Sequence, residues 1–155
     1  MPKAEALKQI KKHNTNDPFE IAEQKGIVVI RERLGSALGY YNSYKRIRFI
    51  HINEDINEKL AKFVCAHELG HSILHPDANA PFMKANTFLS IDRIEVEANT
   101  FAVELLLTDK AIYEHKDLNM TLNEIASLYC VPNEVSHLKS LRGFLMHELE
   151  FTPLV

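Results

Sequence analysis

"FVCAHELGHSIL", residues 63–74, holds His67, Glu68 and His71 in the order H-E-x-x-H. In an α-helix, residues four apart stand one above the other on the same face. His67 and His71 can therefore each turn an imidazole nitrogen toward one ion, at the about 2.0–2.1 Å that zinc prefers. Glu68 is rotated about a third of a turn away, too far to share the ion comfortably but within reach of a water beside it. Two ligands plus a proton-accepting carboxylate is the division of labour of a zinc hydrolase. Three fixed letters also arise by chance, so their surroundings have to decide.

Those surroundings favour a site. Leu60, Phe63, Val64, His67, His71 and Leu74 follow one another along one helical face, so both histidines point to the apolar side. Buried imidazoles need partners, and a shared metal is an economical one. Asp55 with Glu58 three residues later resembles a capping box opening this helix, and Pro76 follows its end near His75.

A catalytic zinc needs a third protein ligand and an open fourth position. His75 lies about 12 Å along the axis from His67 and cannot join the same ion while the helix is intact. Asp77 stands where an extended H-E-x-x-H-x-x-G-x-x-H pattern has its last ligand, but Leu74 occupies the place of the required glycine. The better candidate is on the segment "SIDRIEVEANTFAVELLL", whose Ile91, Ile94, Ala98, Phe101, Ala102 and Leu105 recur at helical spacing, with Ser90 as its cap. Glu95 shares a face with Ala98 and Ala102, and small residues there let two helices approach closely. A glutamate on a second helix completes a His/His/Glu set of the thermolysin type. Glu97 points about 200° around the helix from Glu95 and is expected to face solvent. Asn99, one turn after Glu95, could orient a ligand from behind.

Outward from these helices, "MPKAEALKQIKKH" suits a short helix with Leu7 and Ile10 as apolar contacts. "NTNDPFEIAEQKGI" suits a second, with Asp17 as N-cap, Pro18 in the first turn and Gly26 as the stop. Three short β-type runs follow, "IVVIRER", "ALGYYN" and "RIRFIHI", separated by turns containing Gly35 and Lys45. Spacing that tight predicts an antiparallel meander. Beyond residue 109 the chain reads as short helices to about residue 150. Strands followed by helices make the class α+β: a small antiparallel three-stranded sheet packed on the H-E-x-x-H helix and a second ligand-bearing helix.

At 155 residues, residues 1–155 are expected to form one domain with a real core. No stretch approaches the roughly 18 apolar residues of a membrane span, and the charged N-terminus lacks the apolar run of a secretory signal. Cys65 and Cys130 form no C-x-x-C pair, which points to buried free thiols and a reducing, cytoplasmic location. A net charge of −3 argues against a broad nucleic-acid-binding surface, and nothing in the chain demands more than a monomer.

"HELGHSILHP" followed by "IEVEANTFAVELLL" resembles the ImmA/IrrE family of small metallopeptidases, with the likeness extending through "DPFEIAEQKGI", "YKRIRFIHIN" and "LNEIASLYCVP". The resemblance implies a cytoplasmic Zn2+ endopeptidase acting on a helix-turn-helix repressor of a prophage or mobile element. Carried over, His67, His71 and Glu95 become the metal ligands and Glu68 the base. Members often end the second helix with a proline, where this chain reads "LLLTDK"; Thr108 or Asp109 could cap the next helix instead.

Tyr113, His115, Tyr129 and His137 are candidate donors to a developing oxyanion, and the sequence does not choose among them. A rival reading takes "LNEIASLYCVPNEVSHLKSL" as a helix-turn-helix and the protein as a DNA-binding or repressor-binding regulator with a non-catalytic metal site. Its reading helix, "NEVSHLKS", carries a glutamate and one lysine, a poor set for phosphates and base edges.

Overall fold

Three strands, β1 (Ile27–Glu32), β2 (Gly39–Tyr44) and β3 (Ile47–Asn53), lie in the order β1-β3-β2 in the computed structural model, which describes residues 1–78 and 82–141. Lys45 and Arg46, with φ of 48° and 66°, form the tight reversal that pairs β2 with β3 antiparallel, Tyr44 opposite Ile47. The α+β class holds, but the sheet is mixed: β1 runs parallel to β3, where a meander was expected. The cause is a tertiary contact. Asn53, at the end of β3, donates its side-chain amide to Gly35 O at 3.0 Å and Ala37 O at 2.9 Å, while its backbone N–H bonds Leu38 O at 2.9 Å. The link after β1 is thereby led across the end of β3, and β2 forms on the far side.

Among the described residues there are six α-helices and two short 3₁₀ turns, and the second and third helices pack on the sheet. α1 (Pro2–His13) buries Ala6 and Gln9 and leaves Leu7, the expected contact, 46 % exposed. α2 (Pro18–Gln24) begins as expected: Asp17 Oδ1 accepts from Phe19 N at 2.9 Å, and Gly26 stops it with a φ of 68°. α3 (Glu58–Leu74) is capped by Asn57, whose Oδ1 accepts from Leu60 N at 2.9 Å, and not by Asp55. Asp55 is taken up two residues earlier, its N–H bound to Asn53 Oδ1 at 3.0 Å. α4 (Arg93–Leu106) is capped by Asp92 rather than Ser90. Thr108 caps α5 (Asp109–Glu114), and Thr121 with Glu124 boxes the start of α6 (Leu122–Leu128). The 3₁₀ turns span Ala85–Leu89 and Asn133–Leu138, and the expected helical character of 142–150 lies outside the described residues.

α3 is the centre of the core. From Phe63 to Ser72 every residue is buried, between Ile50 and Ile52 of β3 and Phe101 of α4. A Cβ on Gly70 would sit 3.0 Å from Phe101 Cδ1 and 3.4 Å from Ala98 Cα, so the glycine lets α4 lie close against α3. Cys65 is buried and Cys130 half-buried, both as free thiols. Behind α4, Lys139 and Glu104 form an ion pair of 2.6 Å with each side chain only 1 % exposed. Asp109 also reaches Lys139 at 2.6 Å, and Lys3 stands 3.1 Å from Asp109.

Candidate metal centre

α3 carries His67 and His71 one turn apart, and the cap at Asp92 starts α4 so that Glu95 falls in its first turn, opposite them. The Nε2 atoms of the two histidines are 3.0 Å apart; Glu95 Oε2 lies 3.3 Å from His67 and Oε1 3.4 Å from His71. These edges are close to the about 3.3 Å that separates neighbouring donors around a tetrahedral zinc with bonds of roughly 2.05 Å. Among the described residues, this trio is the His/Cys/Asp/Glu cluster able to hold a metal ion. His75 stays outside it, as helical geometry required, and so does Asp77.

The protonation pattern suits a cation. His67 Nδ1 meets Asn99 Oδ1 at 2.9 Å, while the Asn99 amide donates to Thr87 O at 3.0 Å. An amide oxygen only accepts, so the His67 proton belongs on Nδ1 and the Nε2 lone pair faces the cluster. Burial lowers the His67 pKa, favouring the neutral ring a metal needs. Burial alone would raise Glu95, but the two histidines facing it outweigh that and bring the carboxyl to about 2. Its contacts have ion-pair lengths, and among the described residues neither oxygen has a well-formed hydrogen bond. Buried acceptors facing one another without donors fit a bound cation better than any arrangement of protein groups alone.

Glu68 is fully buried, and neither carboxylate oxygen has a hydrogen-bond partner among the described residues. Burial first, and the charge of Glu95 second, push its pKa well above the usual carboxylate range. Beside it runs the edge strand β2. A Cβ on Gly39 would fall 2.5 Å from Val64 Cγ1, 2.7 Å from His51 O and 3.8 Å from Glu68 Cγ, so this glycine allows strand and helix to touch at the site. Met83 pairs with Gly39 and closes one end of that edge. A cleft of about 650 Å³ reaches Glu95 between Phe82, Lys84, Leu89, Ile91 and Asp92.

Other candidates are placed elsewhere. None of Tyr113, His115, Tyr129 and His137 lines the cleft; His115 and Tyr129 pack edge-to-face at 5.7 Å, and Tyr113 accepts from Lys116 at 3.0 Å. Glu97, expected in solvent, instead bonds His75 Nε2 at 2.7 Å and Arg93 Nε at 2.8 Å. The sequence held a signal for that contact, since His75 sits one turn beyond His71. In the helix-turn-helix candidate, the second element is the 3₁₀ turn Asn133–Leu138, with Val135 and Ser136 buried in the fold. A reading helix would have to present that element outward.

A family model described as IrrE N-terminal-like domain, of a peptidase family, matches residues 22–139. The chain is 48 % identical over 140 residues to "Uncharacterized immunity region protein 2" of Bacillus phage phi105, covering 90 % of this chain and 89 % of that protein. It is 35 % identical over 134 residues to "Metallopeptidase ImmA" of Bacillus subtilis (strain 168), covering 84 % of this chain and 78 % of the relative. No solved structure gives a significant match. No described helix is long and apolar enough to cross a membrane.

Proposed function

This chain belongs to the IrrE N-terminal-like (ImmA/IrrE) family of metallopeptidases, and from that premise we propose that it is a Zn2+-dependent endopeptidase that cleaves a helix-turn-helix repressor of a prophage or mobile element. His67, His71 and Glu95 hold the metal and Glu68 is the catalytic base. One observation carries the reading: Glu68, a buried carboxylate with no hydrogen-bond partner among the described residues, stands beside a buried His/His/Glu trio whose donor atoms face one another.

When bound, zinc supplies a Lewis acid that polarises a peptide carbonyl and acidifies a water. The chain's residues do the rest. Glu68, made basic by its dry surroundings, takes the proton of the attacking water on a carboxylate oxygen and passes it to the leaving amine. Asn99 holds His67 in the tautomer whose Nε2 is free. A substrate strand pairs with β2, which has β3 on one side and, among the described residues, only the bridge at Met83 on the other. The phage relative's name, an immunity region protein, agrees with a repressor as substrate. We take the chain to act as a single cytoplasmic domain and as a monomer.

The test is direct. Zinc-loaded protein is incubated with helix-turn-helix repressors of prophage type, and products are identified by mass spectrometry. Cleavage that is lost in Glu68→Gln and with a chelator supports the reading. Relief of repression by Glu68→Gln equal to wild type would replace proteolysis with repressor binding.

A further inference from the structure

His71 has its own support, separate from that of His67. The N–H of His75 closes α3 on His71 O at 2.9 Å, and the His75 ring folds back to 5.5 Å from the His71 ring. Its Nε2 is 2.7 Å from Glu97 Oε2, and its Nδ1 is 3.4 Å from His71 Nδ1. A carboxylate can only accept, so His75 carries its proton on Nε2 and presents a lone pair at Nδ1. His71 must then donate from Nδ1, which leaves its Nε2 lone pair aimed at His67 and Glu95. Arg93 Nε donates to the other Glu97 oxygen at 2.8 Å and fixes that carboxylate in place behind His75. The Nδ1–Nδ1 contact is long, and it is the weaker link of the three.

We infer that His75 and Glu97 are positioning residues, a relay Glu97–His75–His71 that fixes the tautomer and ring orientation of His71 for metal binding. α4 thus serves the centre twice: Glu95 reaches inside it, and Glu97, two residues on, reaches the ring behind it. The relay supports one imidazole of the centre and the Asn99–His67 contact supports the other. The inference rests on the proposal that His67, His71 and Glu95 hold a metal.

The experiment is zinc affinity, measured by competition with a chromophoric chelator at one pH. It compares wild type, His75→Leu, His75→Asn, Glu97→Ala and His71→Ala, with melting of each metal-free protein alongside. His75→Leu should weaken binding about 10–100-fold, the usual cost of losing a partner behind a metal ligand. His75→Asn, whose Oδ1 can stand where the ring's Nδ1 stood, should keep most of the affinity. Glu97→Ala should show a smaller loss in the same direction. Unchanged affinity in His75→Leu, or equal losses in the leucine and asparagine variants, would overturn the relay. If His75→Leu does not fold, Glu97→Ala decides: unchanged affinity overturns the relay there too. No zinc bound by wild type, or no loss in His71→Ala, would instead sink the metal-site reading beneath it.

Discussion

Replacing Lys139 with methionine should cost more than its position far from the centre suggests. Lys139 Nζ lies 2.6 Å from Glu104 Oε2 and 2.6 Å from Asp109 Oδ1. Without it, Glu104 stays 1 % exposed and, among the described residues, keeps only the Ser140 N–H at 2.7 Å and Lys3 Nζ at 3.8 Å. Removing one partner of a buried pair costs about 3–5 kcal/mol, and the residual attraction of Lys3 places Lys139→Met at the low end, about 3 kcal/mol. At roughly 2–4 °C per kcal/mol for a chain of this size, the melting temperature should fall by about 6–12 °C. The double variant Lys139→Met with Glu104→Gln should recover most of the loss, because the amide still accepts from Ser140 and no charge remains buried. Urea unfolding of metal-free protein, followed by circular dichroism, gives both numbers provided the slope m is unchanged. A cost below about 1 kcal/mol for the single variant, or a double variant no more stable than the single, would refute the argument that an unpaired charge is what destabilises.

Three further outcomes follow from the same structure. Glu68→Gln should lower peptidase turnover by roughly 10²–10⁴-fold while binding zinc as wild type does and melting no lower in the metal-free state; an active Glu68→Gln would remove the assigned base. Gly39→Ala should destabilise by about 1–3 kcal/mol, since the new methyl meets Val64 Cγ1 and the His51 carbonyl; an unchanged urea midpoint would show that β2 can move off α3 freely. Burial pulls the Asp109 carboxyl up, but hydrogen bonds and charge from Lys139 and Lys3 hold it below the ordinary aspartate value. A depressed folded pKa means stability present above the unfolded value of about 3.9 and lost as pH falls through the folded one. Wild type should therefore lose stability below about pH 4 more steeply than Asp109→Asn, and equal slopes in acid urea titrations would count against the pairing.

What could be read without coordinates was whatever local chemistry specifies. The histidine spacing on α3, the small face of α4 and the Asp17 cap are periodicities and end signals, and each stands where the sequence placed it. Strand order was not legible, because it depends on Asn53 gripping the 33–38 link, a contact with no signature at either position. Choosing Asp55 over Asn57 as cap failed for a similar reason: Asp55 had been claimed by the end of β3. Glu97 was misjudged because a helical wheel describes one helix, and the side of α4 away from the centre meets the end of α3. The histidine pair was legible because i, i+4 spacing survives any tertiary arrangement that keeps the helix, whereas Glu95 is brought to it by the packing of α4 on α3.

Complete burial from Phe63 to Ser72 sets how the centre can exchange with its surroundings. A segment packed on every side opens only when the sheet and α4 let go together, so its amides should be among the slowest in the molecule to exchange with deuterium. Local fraying of α3 then offers an ion no exit. An ion held by the trio would leave through the cleft beside Glu95, past Phe82 and Ile91, or wait for global unfolding. On the proposed function, the rim that would admit a peptide would also govern how long the metal stays.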